Sequence, residues 1–119
     1  LALGGCKARV HPLYKVAPIK VSGEQIFKDY QNEAEADKKY LGKLVEVDGM
    51  VDKTGMDPTG QFYALLKGGD AVGSVICYFP KKMNDLSGEI KPGMPLVVRG
   101  IVLNRLMNVV IDECAVVKG

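Results

Sequence analysis

The chain has 119 residues, the length of one domain, and 47% of them are hydrophobic against 25% charged. That balance indicates a folded globular chain and excludes a disordered or collagen-like one. One histidine, three cysteines and a net charge of +2 exclude most hydrolytic triads, multi-histidine metal sites and strongly basic nucleic-acid binders. No apolar run in the sequence approaches the roughly 18 residues of a membrane-spanning helix.

The positive charge is concentrated near the N-terminus. Residues 1–21 carry four basic side chains and no acidic one, residues 22–42 have a net charge of −2, and residues 43–119 are neutral. Phosphate backbones are bound mainly through many Lys and Arg contacts. The neutral C-terminal part therefore lowers the expectation of nucleic-acid binding, although a local basic patch would still permit it.

The first two segments are predicted to be an extended lead-in and a helix. Residues 1–21 are expected to be extended because Pro12 and Pro18 block a helix over most of this segment. Ser22 has the character of a helix N-cap, and apolar residues recur at helical spacing after it. We therefore expect one amphipathic helix of about five turns over residues 22–42.

Residues 43–118 are predicted to form short strands, because apolar and polar side chains alternate between turn signals rich in Gly and Pro. The strands are predicted at 44–52, 61–67, 72–79, 96–103 and 108–117. A short helix is expected at 80–89. In the last strand the alternation breaks at residues 112–113, so Ile111 and Cys114 face the same way only if a bulge is inserted.

Five short strands with a helical insert between the third and the fourth fit a small closed barrel. Three glycines within the strands, Gly49, Gly73 and Gly100, suit the sharp coiling of such a barrel. The predicted fold is mainly β: a five-stranded OB-fold barrel over 43–118 with the N-terminal amphipathic helix, together one domain over 22–119. An open five-stranded sheet with one helix packed on it is the alternative.

Several runs of residues resemble one family. They are Tyr30-Gln31-Asn32-Glu33, Ala36 through Lys43, the alternating Val45, Val47, Gly49 and Val51, then Val75-x-Cys77-x-Phe79, Gly93, Gly100 and Cys114. From about Ser22 to Val117 the chain resembles the tRNA-anticodon-binding-domain-like OB-fold family of bacteria. The matching positions are mostly apolar residues and glycines, so they specify a fold and not a chemistry. The resemblance implies no catalytic residues, and it implies that many members are lipoproteins or secreted proteins of the cell envelope.

The first residues fit that expectation. Leu3-Gly4-Gly5-Cys6 has the pattern of a lipobox, in which small residues precede the cysteine that receives the lipid. We expect residues 1–5 to be a signal remnant and Cys6 to anchor the protein to the bacterial envelope, facing the periplasm. Lys7 is not an aspartate-type retention signal and favours the outer membrane. The alternatives are an accidental match or a strand-like arm that packs on the barrel.

The other two cysteines form a candidate pair. The third and fifth strands of an OB-fold barrel are neighbours, so Cys77 and Cys114 are candidates for a disulfide in an oxidising compartment. The alternative is that both are reduced and serve as small apolar residues in the core. His11 has no partner suggesting a metal site, and Cys77 has no nearby base. We therefore predict no metal, no cofactor and no enzymatic activity.

A candidate ligand face lies on the second and third strands. Tyr63 and Tyr78 could stack on a ligand, as aromatic residues do in OB-folds that bind single strands. Basic residues are predicted near the adjoining loops, at Lys53, Lys67, Lys81, Lys82 and Arg105. The alternative for the two tyrosines is half-buried packing on the sheet. We predict an envelope-tethered module that binds a protein or a glycan-like ligand, with single-stranded nucleic acid as the alternative.

Overall fold

The computed structural model describes residues 15–68, 74–105 and 108–117. The elements in chain order are β1 (Ile19–Ser22), α1 (Gly23–Asp29), α2 (Glu33–Tyr40), β2 (Leu44–Met56), β3 (Phe62–Lys67), β4 (Ser74–Tyr78), a 3-10 segment (Lys81–Gly88), β5 (Pro95–Arg105) and β6 (Val109–Val116). Within the described ranges, neither the length nor the apolar content of any helix suffices to cross a membrane.

Five of the strands close into a barrel in the order β2-β3-β4-β6-β5, and β5 returns to pair with β2. The long strand β2 makes this closure possible, because Leu44–Met50 pairs with β5 and Val51–Met56 pairs with β3. Within the barrel, β4 and β6 are parallel and the other pairs are antiparallel. The predicted five-stranded OB-fold is confirmed.

A sixth strand joins the barrel at its edge. β1 runs parallel to β2, with Ile19 opposite Val45 and Ser22 opposite Asp48. It occupies the edge of this part of β2, while β3 pairs further along the same strand. The segment predicted as an extended lead-in therefore ends as a strand on the barrel, and residues 1–14 lie outside the described part of the chain.

The prediction of one helix over 22–42 is wrong, because this segment forms two helices. α1 begins as expected after Ser22, whose hydroxyl accepts a 3.0 Å hydrogen bond from the backbone N–H of Gln25. A second N-cap interrupts the helix at Asn32, whose side-chain oxygen accepts a 3.4 Å bond from the backbone N–H of Glu35. Asparagine favours caps over helix interiors because its side chain competes for backbone hydrogen bonds.

The predicted bulge in β6 is confirmed. Glu113 has a φ of 54°, in the left-handed region that non-glycine residues rarely adopt. The pairing of β6 with β5 shifts register at the same place, between Arg99 and Ile101. As a result Ile111 and Cys114 both point into the barrel, where they are 0% and 1% exposed. The bulge therefore keeps the end of β6 in the core.

Candidate ligand-binding face

The strands β3 and β4 lie side by side and have one buried face. Their inward residues, Phe62, Ala64, Leu66, Val75 and Cys77, are all buried. Because side chains alternate along a strand, the residues between them point away from the core. These are Tyr63, Leu65, Ile76 and Tyr78, and each is half-buried. We call these four residues the outer face.

Tyr63 and Tyr78 are direct partners across the two strands. Their ring centroids lie 5.9 Å apart and their planes meet at 61°, an edge-to-face arrangement that stabilises aromatic pairs. Tyr63 also lies opposite Gly55 of β2. A Cβ atom at Gly55 would lie only 2.7 Å from the Tyr63 hydroxyl and 2.9 Å from its Cζ. The ring therefore rests across the bare backbone of Gly55 and keeps its place on the barrel surface.

The charges of two carboxylates act on Tyr78. The pKa of Tyr78 is raised, first because the ring is partly buried and then because Asp57, Tyr63 and Asp112 act on it electrostatically. Asp57 comes from the turn after β2, and Asp112 comes from the bulge of β6. The topology thus places acidic groups from two distant parts of the chain beside the aromatic pair.

Asp57 is held in place by the turn that follows β2. Its carboxylate accepts bonds from the Thr59 hydroxyl at 2.6 Å, the Thr59 N–H at 2.9 Å and the Gln61 N–H at 3.0 Å. Gly60 completes this turn with a φ of 85°, which glycine adopts without steric cost. The hydrogen bonds from Thr59 and Gln61 lower the pKa of Asp57, and the charge of Lys81 adds to the effect. Asp57 therefore carries a negative charge at neutral pH.

The structure spreads the predicted basic residues around the outer face. Lys53 lies on the neighbouring strand β2, and Lys67 is the exposed last residue of β3. Lys81 and Lys82 are exposed at the start of the 3-10 segment, beyond β4. Arg105 ends β5, and nothing is described of its side chain. The pair of tyrosines is therefore bordered by both signs of charge.

The remaining predicted sites stand as follows. Cys77 and Cys114 are both buried, free thiols, and their disulfide stays a prediction. Cys6 and His11 precede the first described residue. Across the described ranges, no group of three or more His, Cys, Asp or Glu residues could hold a metal ion. Sequence reasoning missed the contributions of Gly55, Asp57 and Asp112, because their neighbours at the face come from other strands.

The barrel and its appended helices define an OB-fold domain of the anticodon-binding-like type. Residues 7–116 match the tRNA_anti-like family, and the chain belongs to that family. No curated protein sequence matches the chain.

Solved structures share this fold. One is a "putative nucleic acid-binding lipoprotein" from Klebsiella pneumoniae subsp. pneumoniae MGH 78578, with a TM-score of 0.71 and 18% identity. The match covers 92% of this chain and 100% of that chain. Another is a chain from the crystal structure of yeast Stn1 and Ten1, with a TM-score of 0.52 and 11% identity, covering 87% of this chain and 64% of that one. At these identities the likeness is one of fold.

Proposed function

We propose that this chain is a non-enzymatic binding module that takes a protein or a glycan-like ligand on its outer face. The observation that carries the proposal is the half-buried, edge-to-face pair of Tyr63 and Tyr78, and the charges of Asp57 and Asp112 that act on Tyr78 support it. The faces of strands equivalent to β3 and β4 are where OB-folds bind extended polymers, including oligosaccharides.

The chemistry of the outer face suits a ligand rich in hydroxyl or amide groups. Tyrosine rings offer apolar area together with a polar tip, which fits a sugar ring or a peptide. Ionised carboxylates accept hydrogen bonds from O–H and N–H groups, and such charge-assisted bonds are among the stronger ones. The same carboxylates repel phosphates. The two carboxylates that act on Tyr78 therefore favour, at that residue, a ligand that is not a polyanion.

The test is a titration with soluble envelope oligosaccharides and with short peptides, followed by the amide NMR shifts of β3 and β4. Shifts centred on Tyr63 and Tyr78 are expected, and Tyr78→Ala should weaken binding at least about tenfold, the loss of about 1.4 kcal/mol. Met50→Ala is a matched control, because Met50 is exposed on β2 where that strand pairs with β5. Shifts confined to other strands would overturn the proposal.

Single-stranded nucleic acid is the second candidate ligand. Family membership, the name of the Klebsiella protein and the four lysines around the outer face favour it. Binding of this kind weakens steeply as salt rises, because counterions are released from the phosphates. A titration with single-stranded oligonucleotides at low and high salt separates the two candidates. Tight binding at low salt that falls with salt and with Tyr78→Ala would establish nucleic acid as the ligand, and no binding at low salt would remove it.

We further propose that the module is tethered to the bacterial envelope, in the outer membrane and facing the periplasm, through lipid at Cys6. The lipobox pattern and the word lipoprotein in the name of the Klebsiella relative support this. Firm anchoring takes more than one acyl chain or an added basic segment. Mass spectrometry of the protein expressed with its full leader should find diacylglycerol on Cys6, and Cys6→Ser should leave the membrane fraction. Unmodified wild-type protein in the soluble fraction would contradict the tether.

A further inference from the structure

Two thiols meet inside the barrel, away from the outer face. Cys77 on β4 is 0% exposed and Cys114 on β6 is 1% exposed. Cys77 lies opposite Ile111 of β6, and Cys114 follows three residues further along that strand, where burial and then Cys77 raise the pKa of Cys114. Cys114 in turn donates to the carbonyl oxygen of Ile111, with 3.5 Å between sulfur and oxygen. The two thiols thus belong to one buried core on adjacent strands, and the Cys114 thiol is held by a backbone carbonyl.

Two separate features of the chain bring Cys114 to this place. The bulge at Glu113, with its φ of 54°, turns Cys114 inward when simple alternation would leave it outside. On the facing strand β5, Gly100 leaves the room that the sulfur needs, since a Cβ there would lie 2.8 Å from it. A residue with positive φ and a glycine at a close approach each restrict the sequence. Both features allow the Cys114 sulfur its inward position, and Gly100 leaves room for Ile111 Cγ2 as well.

The thiol pair lies at the shortest strand pairing in the described part of the barrel. β4 and β6 form the parallel pair, and their register consists of Val75 with Val109, Ile76 with Val110 and Cys77 with Ile111. The other barrel pairs each share five or more register positions. A covalent bond just beyond the last of these three pairs would hold the barrel closed. It would also close a chain segment of 37 residues, which restricts the unfolded chain.

We infer that Cys77 and Cys114 are the two halves of an intramolecular disulfide that is made while the chain folds and that closes the joint between β4 and β6. The two thiols give two electrons and two protons to the disulfide of a donor: the Cys77–Cys114 S–S bond forms, the donor's S–S bond breaks, and the donor leaves as two thiols. Exchange begins with a thiolate, and burial together with the contact to Cys77 raises the pKa of Cys114. A folded barrel with reduced thiols therefore reacts slowly, so the bond forms before the core closes.

The test uses Cys6→Ser protein, so that the third cysteine cannot mispair. The protein is denatured and reduced, then refolded either with a mixture of oxidised and reduced glutathione or with reductant alone. Refolding with glutathione should give no free thiol in denaturant and a mass lower by two hydrogen atoms. The melting temperature should exceed that of the reduced form by about 10 °C.

Timing and specificity have their own controls. Reduced protein that is already folded should react with the same glutathione mixture at least about tenfold more slowly than the refolding chain. Cys77→Ala and Cys114→Ala, each in the Cys6→Ser protein, should melt at temperatures that reductant does not change. Two free thiols after refolding with glutathione, or only glutathione adducts and linked dimers, would overturn the inference. The count of free thiols can be made even if neither alanine variant folds. It also does not depend on whether the outer face binds a ligand.

Discussion

Tyr40, the last residue of α2, donates a 2.5 Å hydrogen bond from its hydroxyl to the carboxylate of Asp29, the last residue of α1. The reciprocal bond runs from the Tyr30 hydroxyl to Asp37 at 2.9 Å. Both tyrosines are buried, and their rings stack with centroids 6.1 Å apart. The two helices are therefore joined side by side through a pair of phenol–carboxylate bonds.

Tyr40→Phe should lower the free energy of unfolding by about 1–3 kcal/mol, the range for a hydrogen bond to a charged group. Removal of the hydroxyl leaves the Asp29 carboxylate without its shortest bond in a partly buried position. Urea unfolding measures the loss. Tyr63→Phe is the control, since Tyr63 is half-buried on the outer face, and it should change stability by less than about 0.5 kcal/mol. Equal losses in the two variants would contradict this account of the helix pair.

Stability should also fall in alkali. Burial and then the hydrogen bonds to Asp37 and Asp29 raise the pKa of Tyr30 and Tyr40 above the ordinary value of 10.0. Unfolded tyrosines therefore lose their protons at lower pH than these two do when folded. The stabilisation that these two protonated tyrosines contribute is fully present below about pH 10 and is lost as the pH rises beyond it. Urea unfolding over about pH 9–12 should show the fall, with a shallower slope for Tyr40→Phe. The same slope in both proteins would be the contrary result.

Gly55→Ala should move the ring of Tyr63 without unfolding the barrel. The added Cβ would meet the hydroxyl and Cζ of Tyr63, which are the free end of a side chain that can swing aside. We expect a changed near-ultraviolet circular dichroism spectrum, weaker ligand binding and a loss of stability below about 1 kcal/mol. Gly88→Ala is the control, because a Cβ there meets nothing within 4 Å. An unchanged tyrosine signal in Gly55→Ala would show that the ring does not depend on this glycine.

Gly100→Ala should lower the free energy of unfolding much more than Gly49→Ala, the matched change on β2. A Cβ at Gly100 would lie 2.5 Å from Ile111 Cγ2 and 2.9 Å from the backbone oxygen of Asp112, which moves only if the bulge moves. We expect a loss of about 2–3 kcal/mol by urea unfolding. At Gly49 the new Cβ would make ordinary contact with Leu66 at 3.4 Å, so Gly49→Ala should cost well under half as much. Similar losses of stability at both positions would contradict the role of Gly100 in leaving room for the side chain of Ile111 and the bulge.

The barrel could be predicted from the sequence because each strand has one buried face. The alternation of Val45, Val47 and Val51 is a local pattern, and all three are fully buried. The bulge in β6 could also be predicted from a local pattern, because the alternation of apolar and polar residues fails where the backbone bends. The break between the two helices at Asn32 could not be predicted in this way, because apolar residues keep their helical spacing across it. The hydrogen bond from Tyr40 to Asp29 that favours two helices is a tertiary contact.

Other features depend on residues that are distant in the chain. β1 has only four residues, and its pairing with β2 carries no local signal beyond weak alternation. At the candidate site, Tyr63 and Tyr78 were predictable as outward residues of neighbouring strands. Asp57 and Asp112 act on Tyr78 only because the closed barrel brings distant parts of the chain together. The periodicity of apolar residues in the sequence does not show this closure. Local patterns thus predicted the elements, and the topology assembled the site.

The insertion of β6 between β4 and β5 has a consequence for how the chain matures. The strand that completes the barrel comes after all the others in sequence, so a growing or emerging chain cannot close its core until residues 109–116 are available. Until then the apolar faces of β2 to β5 remain open to solvent and to chaperones. Pairings between sequence-distant strands also slow the final step, to milliseconds or longer. The barrel therefore folds only once β6 has been made, and not progressively from its first strand.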